Sequence, residues 1–503
     1  MTRILLTGAS GYIGSHLMKQ LKENHEIVAI SRNIKNKSDE HNVIWKSADL
    51  FDLNEISEVM EDVDVAIYLV HSMMPSAKLT QASFEDMDAL LADNFAKAAS
   101  VNNVKHIVFM SGLIPNTNEL SPHLKSRLEC ERILGDYGVP VSTLRAGLII
   151  GAKGSSYPIL KKLVERLPGL VLPAWSYNTT LPVAIEDVID GLSKVVERKP
   201  AYNEAIDIGG PNHMTYKDLF KQTAEVLDKS LPTMDLPIIP IWLSKFWVKL
   251  ISGVPKEMVY PLMDSLIHDM TRNKKNIVDG ISIGKTNYKQ SVRNALAEEQ
   301  NKTDKKSKPK KSYDTSIKDV RAISRVVLPK DVNISELTES YAQFLNKVTL
   351  NIVNSNLNEA HFSIRIPLLN RQLLILEKDT KASDQNRVLY RIIGGDFALA
   401  SNGGNARLEF RRIINSNECI IALQEYEPTL PWWVYKYTQA KLHKTVMNSF
   451  KLYLNLKSQN NKGSLNVKKF ILPLIITCGV VTKLYGLKKY LARNNNMSNA
   501  ELL

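Results

Sequence analysis

A chain of 503 residues is too long for one ordinary core, so two or three domains are expected. The formal net charge of +13 is concentrated in the lysine-rich stretch 302–311 and in the tail beyond Asn460, which reads as solvated linker; no nucleic-acid-binding motif accompanies it. Three scattered cysteines (Cys130, Cys419, Cys478) have no metal-ligand spacing, which excludes a zinc site and a disulfide framework and points to a reducing compartment. The first strand starts almost at residue 2, leaving no room for a secretory signal, so a cytoplasmic protein is expected.

In chain order, an apolar run at 4–6 leads into Thr7-Gly8-Ala9-Ser10-Gly11-Tyr12-Ile13-Gly14 and then a helix over 12–22 with an Ile13, Leu17, Leu21 stripe. Strand, glycine-rich turn and helix start follow without a spare residue. That order suits a dinucleotide phosphate: Gly8 for the sharp turn, Gly11 for backbone approach to the pyrophosphate, Gly14 for close helix packing, and the helix N-terminus for anion-facing N–H groups. Thr7, Gly8, Ser10, Gly11, Tyr12, Ile13 and Gly14 are therefore candidate cofactor contacts, against the alternative of a ligand-free turn. The second strand, 26–32, ends in Ser31 and Arg32 with Lys35 and Lys37 close behind. A carboxylate there would take the ribose 2′-hydroxyl; arginine suits a 2′-phosphate, so NADP is favoured over NAD. The alternative for Arg32 is a solvated basic loop. Further strands are expected at 43–45, 63–70, 105–111 and 141–150, with helices at 53–60 and 84–101.

The Gly-x-x-Gly-x-x-Gly spacing resembles the extended and atypical short-chain dehydrogenase/reductase superfamily, and the resemblance covers about residues 1–296. It implies Asp49 and Leu50 beside the adenine, Leu69 and Val70 where the strand runs toward the nicotinamide ribose, and Arg145 at the turn toward the nicotinamide. Ser111 occupies the position of the family's catalytic serine. The Tyr-x-x-x-Lys dyad is absent: His123 stands where tyrosine belongs and Arg127 where lysine belongs. Histidine can exchange a proton near neutral pH, whereas arginine stays charged and can only hold a phosphate or ribose. Segments 68–73, 121–127 and 209–211 resemble the atypical branch that includes YbjT-like proteins and the NAD(P)-binding accessory subunit of respiratory complex I, a branch in which cofactor binding is general and catalysis often absent.

Residues 1–150 thus read as a Rossmann core and 151–296 as a small substrate lobe. Within that lobe, 232–262 is rich in Pro, Trp, Leu and Ile but too broken to span a bilayer. It reads as ordinary packing, with a pocket lid or docking patch as the alternatives. A lysine-rich linker is expected at 297–314. Beyond it, alternating runs at 361–366 and 407–411 and apolar ones at 373–376, 388–393 and 419–423 predict an antiparallel sheet, followed by a long helix from Trp432 bearing Tyr435, Leu442, Val446, Phe450 and Tyr453. This arrangement, with Leu430-Pro431-Trp432-Trp433, resembles the helix-grip (SRPBCC-like) fold over 315–457 and implies a hydrophobic ligand cavity. His443 is expected to be structural. The tail, 458–503, holds an apolar run at 470–481 that reads as a helix packed on the body of the protein, with weak peripheral attachment to a membrane as the alternative.

The expected fold is α/β, a doubly wound parallel sheet with a small lobe, plus a C-terminal α+β domain. The expected function is NADP-dependent oxidoreduction of an apolar or quinone-like molecule, with Ser111 polarising a carbonyl, His123 giving the proton and Arg127 holding charge or ribose. The competing expectation is a nucleotide-sensing or assembly module without turnover. A sugar-nucleotide epimerase is a third reading, disfavoured by the missing dyad. No metal is expected.

Overall fold

Strands β1 (Arg3–Leu6), β2 (Glu26–Ser31), β3 (Val43–Ser47) and β4 (Val65–Tyr68) pair with His106–Gly112, Val141–Ala146 and Glu204–Ile208 in one seven-stranded sheet. Every pairing is parallel. Spatially the order is Glu204–Ile208, Val141–Ala146, His106–Gly112, β4, β1, β2, β3. The chain winds outward from β1 to β3, then crosses back to place β4 on the other side of β1. The reversal opens a crevice at the C-terminal ends of β1 and β4, where open α/β sheets take their ligands. Helices α1 (Tyr12–Leu21), α2 (Leu53–Val59), α3 (Phe84–Val101) and α4 (Pro122–Gly135) are among the connections. The central strands are largely apolar because helices cover both faces; β4 is buried at every position, whereas the edge strand β3 is partly exposed.

The structure is a computed structural model and describes residues 1–72, 79–117, 119–198, 203–303, 320–330, 332–398 and 405–459. The chain divides into two units, 1–74 with 87–311, and 75–86 with 312–503. In the first unit, a second core joins the helices Tyr157–Arg166, Tyr216–Val226, Ile241–Ser252, Lys256–Ser265 and Tyr288–Thr303 around Tyr157, Leu163, Phe220, Val259 and Val292. This is the expected small lobe, but its last helix runs on to Thr303, past the expected boundary at 296. The expectation of ordinary packing for 232–262 is half right. Val248 and Val259 are buried, while Trp242 is 66% and Trp247 51% exposed on the outer side of Ile241–Ser252. The linker beyond 303 and the tail with its apolar run at 470–481 lie outside the described residues. Among the described residues, no helix is long and apolar enough to cross a membrane.

In the second unit the strands Asn354–Leu357, His361–Ile366, Arg371–Lys378, Arg387–Gly394, Arg407–Arg412 and Glu418–Tyr426 form an antiparallel meander. Val320–Val327 pairs antiparallel with the last of them, and Leu79–Gln81, supplied from between β4 and α3, adds a parallel edge strand. Neither the edge strand nor the helix Ile334–Val348 was expected. The long C-terminal helix is in fact two, Trp432–Tyr437 and Gln439–Gln459, broken at Thr438, whose backbone leaves the helical region. Tyr435 therefore sits on the first and Leu442, Val446, Phe450 and Tyr453 on the second. Tyr341, Phe344, Phe362, Phe410 and Phe450 form the centre of this core. Between the helices and the sheet lies a cavity of about 140 Å³, lined chiefly by apolar side chains, with His443 on its wall. Desolvation lowers the His443 pKa to about 4, keeping it neutral.

Candidate functional site

The turn after β1 is built as its sequence requires. Gly8 has φ +64°, in the left-handed region open to glycine. Gly11 caps α1, and its N–H donates to the Gly8 carbonyl at 2.8 Å. A Cβ on Gly14 would stand 2.2 Å from that same carbonyl oxygen, so only glycine lets α1 lie this close to the turn. No acidic side chain lies in the first turn of α1, leaving its N-terminal field positive.

Two of the expected contacts do other work. Thr7 is fully buried; its hydroxyl donates to the Ile67 carbonyl (3.0 Å) and accepts from the Leu69 N–H (2.8 Å). It splices β1 to β4 and has no face left for a cofactor. The Tyr12 hydroxyl donates to Glu298 (2.6 Å) and accepts from the Ala152 N–H (2.9 Å), which pins the loop; burial, then Glu298, push its pKa up. Ser10 is exposed.

A groove of about 340 Å³ runs along this edge, lined among others by Gly8, Gly11, Leu69, Ser111, His123 and Arg127, with Tyr12, Ile13 and Gly14 also on its wall. The Ser111 hydroxyl is buried there without a hydrogen-bond partner. Ser31, Arg32, Asp49 and Leu50 stand at the C-terminal ends of β2 and β3, on the same edge of the sheet, but do not line this groove. Asp49 accepts from the Phe51 N–H (3.1 Å), and the Leu50 carbonyl accepts from Asn94 (2.8 Å). The Ser31 hydroxyl donates to the Asn33 carbonyl (3.2 Å).

Arg145 departs furthest from expectation. Its guanidinium grips the Glu131 carboxylate through Nε (3.1 Å) and Nη2 (2.5 Å). It is outside the groove, whose wall is made instead by the next residues, Ala146 and Gly147. Arg127 is also structural in large part. Its Nη2 donates to the Met110 carbonyl at 2.6 Å, Nη1 reaches the Val70 carbonyl at 3.5 Å, and the guanidinium lies 4.5 Å from the Phe109 ring centroid. Buried at 5% exposure, it ties the ends of two neighbouring strands and adds a fixed positive charge to the groove wall.

His123 joins an arrangement that spacing did not reveal. Its Nδ1 lies 3.1 Å from His71 Nε2, and His71 Nδ1 lies 3.0 Å from Asp88 Oδ2. Asp88 is fully buried and also accepts from the Ser72 N–H (2.8 Å). Burial alone would raise the Asp88 pKa, but His71 and Arg127 outweigh it and the carboxyl is held below its ordinary value. Desolvation, with the neighbouring His71 and Arg127, pushes His123 down to about 3. This corrects the expectation that His123 exchanges a proton as a near-neutral imidazolium: at neutral pH it carries one proton and no charge. Asp88 could have been noticed as an acid on the core stripe of α3, in line with Leu91, Phe95 and Ala99.

A second cavity, of about 170 Å³, opens beside the groove. Trp175, Tyr216, Phe220, Val259 and Met263 are on its wall, together with other apolar side chains and the hydroxyls of Ser156, Thr180 and Ser265. Among the described residues lining it there is no Asp, Glu, Lys or Arg. Gly112, His123, Ala146, Gly147, Ser156 and Leu262 line both cavities, so His123 stands at their junction.

Residues 4–166 match the model of the NAD dependent epimerase/dehydratase family. Auxiliary protein GraX of Staphylococcus aureus (strain NCTC 8325 / PS 47) is 34% identical over 144 residues, 28% of this chain and 43% of that protein, so the chain matches less than half of that relative's length. A UDP-glucose 4-epimerase of Vibrio cholerae is 23% identical over 301 residues, 54% of this chain and 89% of the epimerase. Among solved structures, the NADPH-dependent quinone oxidoreductase QOR2 of Escherichia coli, complexed with NADPH, superposes with a TM-score of 0.48 at 20% identity, covering 58% of this chain and 99% of that one. The parallel sheet, its glycine turn and the match over residues 4–166 together show a Rossmann-type, NAD(P)-binding α/β domain in the N-terminal unit, similar over those residues to the epimerase/dehydratase family.

Proposed function

We propose that the first unit is an NADPH-dependent reductase of an apolar carbonyl compound, quinone-like in shape, and that His123 supplies the proton. The observation that carries this reading is the junction: one histidine lines both the groove beside the glycine turn and an apolar cavity without a charged side chain. A sugar nucleotide would bring hydroxyls and a diphosphate that such a wall cannot pair, which disfavours an epimerase despite the resemblance of the domain.

The residues fit a dinucleotide. The cradle that a Cβ at Gly14 would close, the positive N-terminus of α1 and the orphaned Ser111 hydroxyl all face the groove. Gly8, Gly11, Ile13 and Gly14 would hold the pyrophosphate, and Arg32, with no carboxylate at the end of β2, favours a 2′-phosphate. When bound, the reduced nicotinamide supplies two electrons as hydride to the substrate's carbonyl. Ser111 donates a hydrogen bond to the carbonyl oxygen, and His123 gives it the proton from Nε2. Arg127 holds two strand ends in place and disfavours a second charge on His123.

His123→Ala is expected to leave NADPH affinity within a few fold while lowering kcat by about 10²–10⁴-fold, the usual share of a general acid. Steady-state rates with short-chain quinones and aromatic aldehydes, paired with NADPH titration by fluorescence, read both numbers. Unchanged kcat in the variant would remove His123 from the chemistry; the absence of turnover in either protein would favour a nucleotide-sensing module instead.

A further inference from the structure

The geometry points to a proton relay, Asp88–His71–His123, that stores the catalytic proton on His71 and delivers it through His123. This rests on the reductase reading above and assigns roles to two residues that the usual dyad would not require. His123 stands at the junction of the groove and the apolar cavity, with His71 beside it as an internal proton source. Its Nδ1 is turned inward, 3.1 Å from His71 Nε2, and His71 is in turn backed by the buried Asp88 at 3.0 Å. The ionised, fully buried Asp88 carboxylate also accepts from the Ser72 N–H and the Ser126 hydroxyl, and at the end of such a chain it is placed to stabilise positive charge on the imidazole beside it.

The step balances without a new co-reactant. Before transfer, His71 Nδ1 carries a proton beside the Asp88 carboxylate, 3.0 Å away, His71 Nε2–H donates to His123 Nδ1, and His123 carries its single proton on Nε2. As the carbonyl oxygen gains negative charge, the His123 Nε2–H bond breaks and an O–H bond forms. The His71 Nε2 proton moves to His123 Nδ1. His71 is left neutral, its Nδ1 still facing Asp88, and His123 has changed tautomer without ever carrying two protons. The low pKa of His123, about 3, agrees with that course.

The charged groups facing the pair are Asp88 from α3 and Arg127 from α4. Tyr68 on β4 and Cys130 on α4 are also close by, and burial pushes both of their pKa values up, so they stay neutral. Burial and then His71 and Arg127 keep a second proton off His123, against the opposing pull of Asp88. His71 and Asp88 are positioning residues, acting through His123.

The test uses the full chain with ¹⁵N-labelled histidine, without cofactor, followed by NMR as pH is raised. As His71 loses its Nε2 proton, the His123 proton should shift from Nε2 to Nδ1 at the same pH. In His71→Gln, whose amide can still donate to Nδ1, His123 should keep its proton on Nε2 throughout. With cofactor and substrate, His71→Gln and Asp88→Asn should retain NADPH affinity and lose about 100-fold in kcat. A His123 tautomer that ignores the protonation of His71, or variants with the native kcat, would overturn the relay while leaving the reductase reading in place. Coupled tautomers without turnover by the native protein would do the reverse.

Discussion

Gly14→Ala is expected to cost dinucleotide affinity about 100-fold, the scale at which a misplacement of about 1 Å is felt in a preorganised site. The added Cβ would lie 2.2 Å from the Gly8 carbonyl oxygen and 2.9 Å from the Ala9 Cα, both backbone atoms that cannot rotate aside. Relief requires α1 to lift from the turn, and the amides at its N-terminus would move with it. Overpacking of this kind also costs about 1–3 kcal/mol of stability. NADPH titration of the variant, with its thermal unfolding alongside, separates the two effects. Native affinity in a folded Gly14→Ala protein would show that the groove is not a phosphate cradle.

In the second unit, Glu409→Gln is expected to destabilise the sheet by about 3–5 kcal/mol, the cost of stripping a buried charge of its partner. Glu409 is fully buried on the strand Arg407–Arg412. Its Oε2 lies 2.8 Å from Arg387 and 3.1 Å from Arg411, and its Oε1 accepts from Gln424 at 2.8 Å. Burial alone would raise its pKa, but Arg411, Arg387 and Arg407 together hold it at about 2. Because the folded value is below the ordinary one, the carboxylate's contribution is complete above about 4.5 and is lost as pH falls toward about 2. Glutamine keeps the shape and loses the charge, leaving two guanidinium groups buried against a neutral amide. Hydrogen exchange of strand amides 407–412 between pH 3 and 7 reads both the loss and its pH dependence; native protection in Glu409→Gln would refute the claim.

The legible parts of this chain were those set by neighbours in sequence. The turn from Thr7 to Gly14 announces a strand, a positive φ and a close helix in eight consecutive residues, and the structure builds each of them. The apolar runs gave the parallel sheet for the same reason, since burial on both faces leaves no other composition. Helix Ile334–Val348 went unread although its signals are local: Asn333 and Glu336 form a capping box, and Ile334, Leu337, Tyr341, Leu345 and Val348 make the stripe. Residues whose partners lie far along the chain could not be read. Arg145 looked available until folding set it against Glu131, and Thr7 looked like a ligand until its hydroxyl was taken by β4. His71 was visible just past a strand end, but its role depends on Asp88 and His123, on two different helices.

The most direct test of the account is NADPH fluorescence on the purified full chain, followed as short-chain quinones and aromatic aldehydes are added in turn. Tight NADPH binding, with loss of the reduced-nicotinamide signal on addition of at least one apolar carbonyl compound, is the expected result. A bound, fluorescent cofactor that no member of the series oxidises would contradict it.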